Sequence, residues 1–160
     1  MAPRPNAKDK LRELSESAPY LLEGDRLLTF KPFTFDKIKG ANCTSDKVAK
    51  AGFYRTDKTS GKCPFCLKEL EFEEEDDPWI EHSSRKPNCA FVKLGKLDES
   101  TWTVGDTITL AITSITMAKW EQQMEMLHQW KKTANADAMV DGIASMTVKK
   151  ETKPRITRNK

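Results

Sequence analysis

Cys63-Pro64-Phe65-Cys66, followed by His82 and then by Cys89, is the stretch on which the reading of this chain turns. The first pair puts two thiolates at the ends of a tight turn, a spacing that lets both reach one metal ion. Adding His82 and Cys89 completes a Cys₃His set, which suits tetrahedral Zn²⁺ and leaves no open position for water or substrate. One structural Zn²⁺ held by Cys63, Cys66, His82 and Cys89 is therefore expected. A dithiol redox motif with Cys63 as the attacking thiolate is the alternative. It would sit between a Ser-Gly turn and a short strand instead of at a strand-to-helix junction, and would leave His82 and Cys89 without a role. Cys43 lacks a partner at metal spacing and reads as a buried thiol, and His128, inside a helical stretch, is assigned no chemistry.

The 160 residues suit one domain plus extensions, with 38% hydrophobic and 32% charged residues. So small a core calls for a staple. The N-terminal residues carry no apolar run of the signal-peptide kind, and no stretch approaches a membrane span, so the expected compartment is the cytosol or nucleus. Thiols are reduced there, which favours metal ligation over disulfides. The net charge of +3 is too small to argue for nucleic acid, and its distribution says more. Eight carboxylates fall between Glu69 and Glu81, while Lys149, Lys150, Lys153, Arg155, Arg158 and Lys160 crowd the last twelve residues. The acidic run reads either as a ligand surface or as a solvated loop. The basic tail offers a contact to DNA phosphates or is merely solvated.

Working outward from the cluster, Pro78 suits the first turn of a helix through His82. Phe53 to Arg55, Lys62 to Phe65 and Leu67 to Phe72 suit the short strands of a three-stranded antiparallel sheet. Thr44 to Ala51 predicts a short helix with Thr44 or Ser45 as N-cap and Gly52 as its stop. Residues 104–133 contain no proline and only Gly105 among glycines, and predict one helix extending roughly 40 Å. The expected organisation is α+β: a flexible arm (1–19), a zinc domain (20–97), a linker (98–103), the long helix (104–133) and a disordered basic tail (134–160).

Two apolar stripes run along that helix. One holds Ile108, Ile112, Ile115, Met126 and Trp130; the other holds Leu110, Met117, Trp120, Met124 and Leu127. A partner helix bundle accounts for both, since one protein domain covers only one face. Folding back as ordinary core and self-association are the alternatives.

Asp25-Arg26-Leu27-Leu28-Thr29-Phe30, Cys43-Thr44, Val48-Ala49-Lys50-Ala51-Gly52-Phe53, the Cys63–Cys66 motif, Asp76-Asp77-Pro78-Trp79-Ile80-Glu81-His82 and Cys89 together resemble the baculoviral IAP repeat (BIR) family. A single repeat followed by one long helix is similar to its survivin-like branch. The resemblance implies a buried structural Arg26, a turn at Gly52, zinc on the four ligands and a groove for the free N-terminus of a peptide. An edge strand at Leu67 to Phe72 would take the peptide, with Glu71 and Asp76 on its ammonium and Leu70 and Phe72 walling the first side-chain pocket. Lys68 and Arg85 would contact phosphate on a histone tail beginning Ala-Arg-Thr-Lys. Arg85 stands where survivin has histidine and apoptosis inhibitors have tryptophan.

The implied function is that of a non-enzymatic adaptor of the chromosomal passenger complex, localising Aurora B kinase for chromosome segregation and cytokinesis. Leu110, Met117, Trp120, Met124, Leu127 and Trp130 would meet the inner centromere protein and a borealin-like subunit. The same resemblance implies nuclear, centromeric and spindle-midzone localisation besides cytoplasm, and homodimerisation through Leu94 to Trp102. A caspase-regulating apoptosis inhibitor is the alternative.

Overall fold

Glu23 and Asp25 open α1 (Glu23–Thr29), where acidic side chains favour the positive end of the helix dipole. The computed structural model describes residues 13–133 other than Ser15. Helix α2 (Ser45–Lys50) starts at Thr44, but the Thr44 side chain makes no capping bond. The Ser45 N–H instead donates to Asp36 Oδ1 at 2.8 Å, from a 3-10 turn at Phe35–Lys37. Gly52 follows with φ +96°, and a Cβ there would lie 2.8 Å from the Phe91 ring, so the turn takes glycine for both conformation and space.

Three short strands form an antiparallel sheet in the order β1 (Tyr54–Arg55), β2 (Ser60–Lys62), β3 (Glu69–Glu71). Tyr54 lies opposite Lys62, and Gly61 opposite Leu70. The strands are shorter than the sequence suggests because Cys63 to Phe65 turn away to build the metal knuckle. Two helices follow, α3 (Pro78–Arg85) and α4 (Ala90–Leu94), then a 3-10 turn at Glu99–Thr101 and the long α5 (Val104–Thr133). Thr103 and Asp106 cap α5 reciprocally: Thr103 N donates to Asp106 Oδ2 at 2.9 Å, and Asp106 N to Thr103 Oγ1 at 3.2 Å. Lys96 Nζ, 2.7 Å from the same carboxylate, is the main cause of holding it down at about 2. No helix among the described residues is long and apolar enough to cross a membrane.

All seven phenylalanines are buried in the core. Phe30 meets Phe33 edge to face at 5.1 Å, Phe53 meets Phe72 likewise at 5.2 Å, and Phe65 stacks on Phe91 at 5.3 Å. Such pairs add to the stabilisation from burial alone.

The chain divides into two compact units, one through Gln122 and one from Gln123. In the first, Leu110, Ala111 and Ser114 of α5 are buried, Ile115 packs on the core, and Ser114 Oγ donates to Pro19 O at 2.6 Å. Lys62 pairs with Glu121 on the same side. The inward face thus coincides with neither expected stripe: it takes Leu110 from one and Ile115 from the other and is completed by small residues, Ala111 and Ser114, which let the helix approach closely. Leu110, expected at a partner contact, is 1% exposed and belongs to the chain's own core. Ile112 and Trp120 face solvent, and Met117 is half-buried. In the second unit Met124, Met126, Leu127 and Trp130 are exposed on helix.

Ala18, placed in a flexible arm by sequence, is buried, and its N–H donates to Leu14 O. Residues 1–12 of that arm and the expected disordered tail, 134–160, lie outside the described residues. Leu110→Ala should lower the unfolding free energy by about 2–4 kcal/mol. Leu127→Ala should change it by less than about 0.5 kcal/mol; urea denaturation of the two variants reads both.

Candidate metal centre

A knuckle supplies the first two donors. Cys63 N donates to Lys68 O at 3.0 Å and Leu67 N to Cys63 O at 2.8 Å, closing a loop in which Leu67 takes φ +57°. The Phe65 N–H lies 3.4 Å from Cys63 Sγ. The third donor rides on α3, started by Pro78 and capped by Asp77 Oδ1, which accepts from Trp79 N at 2.9 Å and Ile80 N at 3.0 Å. Cys89, the fourth, is the N-cap residue of α4.

The donor atoms of Cys63, Cys66, His82 and Cys89 all lie within 4.8 Å of one another. Cys63 Sγ and Cys89 Sγ are 3.8 Å apart, and Cys66 Sγ is 3.7 Å from His82 Nε2. A tetrahedron with zinc–sulfur bonds of about 2.3 Å has edges near 3.8 Å, so the cluster has the size of a zinc site. Cys63, His82 and Cys89 are buried and Cys66 half-buried, and all four cysteines of the chain are free thiols. These residues hold one structural zinc ion. His82 and Cys89 thereby gain a role that a dithiol pair would not give them.

His82 Nδ1 lies 2.8 Å from Ala51 O. A carbonyl only accepts, so Nδ1 carries the proton and Nε2 is free to ligate, the usual support for a metal-bound imidazole. Phe53 packs on the ring at 4.5 Å. Burial pushes the Cys63 thiol well above its ordinary value, whereas hydrogen bonds from Cys63 and Cys66 hold Cys89 down. Three adjacent thiolates, two of them buried, repel one another, and a divalent cation is what allows them to ionise together. Cys43 stands apart, its thiol pushed up to about 12 by burial.

Beside the cluster lies Arg26, 1% exposed. Its Nε donates to Ala49 O at 2.8 Å, and its Nη1 to Leu21 O at 2.6 Å and Tyr20 O at 3.1 Å. The guanidinium lies over Phe91 at 5.5 Å and Phe65 at 6.0 Å. Glu99 supplies the counter-charge at 3.3 Å, and the same oxygen accepts from Glu23 N at 2.5 Å. Burial draws Arg26 down and Glu99 up, and their attraction opposes both shifts. The sequence reading missed Glu99, which sits in the expected linker as one acid among many.

The expected groove residues divide. Glu71 is exposed on β3, which is an edge of the sheet. Asp76 is half-buried, its Oδ2 accepting from Glu73 N at 2.8 Å, and Lys68 is half-buried. Arg85 is exposed and pairs through Nε with Glu81 Oε2 at 2.5 Å. Leu70 and Phe72 do not wall an open pocket. The pleat turns both to the core side, at 7% and 2% exposure, with Phe72 against Phe53.

The family model described as Inhibitor of Apoptosis domain, BIR, matches residues 26–93. The chain is similar to the chromosomal passenger complex protein bir-1 of Caenorhabditis elegans, at 45% identity over 130 residues, covering 81% of this chain and 84% of that protein. It is 42% identical over 141 residues to the baculoviral IAP repeat-containing protein bir-2 of C. elegans, covering 86% of this chain and 46% of that protein. Baculoviral IAP repeat-containing protein 5.1-A of Xenopus laevis is 45% identical over 76 residues, 44% of this chain and 46% of the relative. The chain thus spans about half the length of the last two.

Arg26→Leu should lower the unfolding free energy by about 3 kcal/mol or more, since it orphans three carbonyls and the Glu99 carboxylate. Glu99→Gln, which keeps an acceptor for both donors, should cost about 1 kcal/mol. Thermal and urea unfolding of the two variants measure the difference.

Proposed function

The chain belongs to the BIR family, and from that premise we propose that it is a non-enzymatic mitotic adaptor of the chromosomal passenger complex. One observation carries the reading. Its match to a protein named for that complex runs over 130 residues, more than the 26–93 domain can contain, so the likeness reaches past the zinc domain. A metal held by four protein donors has no position left for a substrate, which favours binding over catalysis.

In this reading the zinc domain takes the free N-terminus of a phosphorylated histone-tail peptide along the outer edge of β3. Backbone pairing supplies affinity, Glu71 and Asp76 meet the ammonium, and Lys68 and Arg85 meet the phosphate. Arg85 would exchange its pairing with Glu81 for the phosphate. The exposed Trp120, Met124, Leu127 and Trp130 of α5, with the half-buried Met117, form the surface for the inner centromere protein and a borealin-like subunit. Methionine-rich helix faces suit adaptable interfaces. Through these partners the protein places Aurora B kinase on chromosomes, at centromeres and at the spindle midzone.

Calorimetric titration with an Ala-Arg-Thr-Lys peptide tests the reading. The threonine-phosphorylated, free-amine form should bind at least about tenfold, or 1.4 kcal/mol, tighter than its N-acetylated or unphosphorylated controls. Lys68→Ala or Arg85→Ala should remove most of the phosphate preference. Preference for an Ala-Val-Pro-Ile peptide would overturn the histone assignment and place the chain among caspase-regulating inhibitors.

A further inference from the structure

A concavity of about 290 Å³ lies between the loop after α1 and the turn joining β1 to β2, lined by Pro32, Phe33, Thr34, Lys37, Arg55 and Lys58. Three of its six lining residues are cationic. Among the described residues, none of the three pairs with a carboxylate. The acids next in sequence to the two lysines are engaged by backbone: Asp57 Oδ1 accepts from Lys58 N at 2.7 Å, and Asp36 Oδ1 from Ser45 N at 2.8 Å.

Arg55 is pre-positioned. Its Nε donates to Asp57 O at 2.9 Å and its Nη1 to Pro32 O at 2.8 Å, so carbonyls hold the fork without neutralising it. Three of the five guanidinium N–H donors remain for a ligand, in the geometry that suits phosphate oxygens. Thr34 Oγ1 donates to Lys58 O at 3.0 Å and ties the two walls together. A fixed guanidinium flanked by two unpaired ammonium groups is a site for a dianion.

The surroundings select the kind of dianion. Phe33, the aromatic at the site, is 2% exposed and gives a base no face to stack on. The Phe72 N–H donates to Thr59 O at 2.9 Å, which sets the acidic stretch Glu71 to Asp77 beside the turn that carries Lys58. A long polyanion would run into those carboxylates, whereas a short segment with one phosphate and basic flanks would be attracted at both places. We infer that this cavity binds a phosphorylated serine or threonine on a partner segment whose flanking residues are basic.

Fluorescence anisotropy of the full chain with a C-terminally labelled, N-acetylated Arg-Arg-Ala-phosphoserine-Ala-Arg peptide tests the inference. Acetylation keeps this probe out of a groove that needs a free amine. The phosphorylated peptide should bind at least about tenfold tighter than the unphosphorylated one, and millimolar inorganic phosphate should compete. Lys37→Glu with Lys58→Glu, both exposed, should abolish that preference without lowering the melting temperature. Arg55→Lys, which keeps the charge and loses the fork, should weaken it several-fold. Equal binding of the two peptides, or a preference surviving in the double variant, would overturn the proposal. So would displacement by an oligothymidine at lower concentrations than by the phosphopeptide itself, which would make the site one for nucleic acid.

Discussion

Four donor atoms gathered within 4.8 Å of one another are the constraint on which the rest of this structure depends. They come from the knuckle after β2, the middle of α3 and the start of α4, three segments that share no continuous secondary structure. Strands of two or three residues do not hold their own register, and a domain this small buries too little apolar surface for a wide margin of stability. Structural zinc supplies on the order of 10 kcal/mol of folding-coupled binding energy, more than any other single interaction here. The clasp reaches further through His82, whose second nitrogen bonds Ala51 O and so fixes the exit of α2. Arg26 adds a second tie next to it by joining the Tyr20–Leu21 backbone, the end of α2 and Glu99 around one guanidinium.

The clasp was legible in the sequence because its signal is local and chemical: ligand types at characteristic spacings. The stop at Gly52, the start of α3 at Pro78 and the long α5 were legible for similar reasons, each resting on one residue's backbone preference or on a run without breakers. What was not legible depends on how elements meet. Large apolar residues at helical spacing point to two stripes, but the buried face of α5 takes only Leu110 and Ile115 from them and is completed by Ala111 and Ser114, whose size allows close approach and carries no hydrophobic signal of its own. Leu70 and Phe72 were assigned to an outer pocket from family position, but the pleat and the Phe53 contact turn them inward. Glu99 becomes visible as the partner of Arg26 only when residues 73 positions apart are brought together.

These observations divide the labour within the chain. The zinc domain carries a free edge at β3, an acidic border beside it and a separate basic cavity between the loop after α1 and the β1–β2 turn. Helix α5 seals its first half with small residues and carries exposed tryptophan, methionine and leucine along its second. Apolar side chains in such density on a helix suit a partner helix better than solvent. The proposed adaptor role calls for this combination, a folded surface on the zinc domain for a peptide and an apolar helix face for a partner.

The most direct test of the zinc clasp is metal content and folding measured on the same sample as a chelator is titrated in, with alkylation of Cys63, Cys66 and Cys89 followed in parallel. The account predicts one zinc per chain, and loss of the cooperative melt in step with zinc release and exposure of all three thiols. An unchanged melt after the metal has been removed would contradict it.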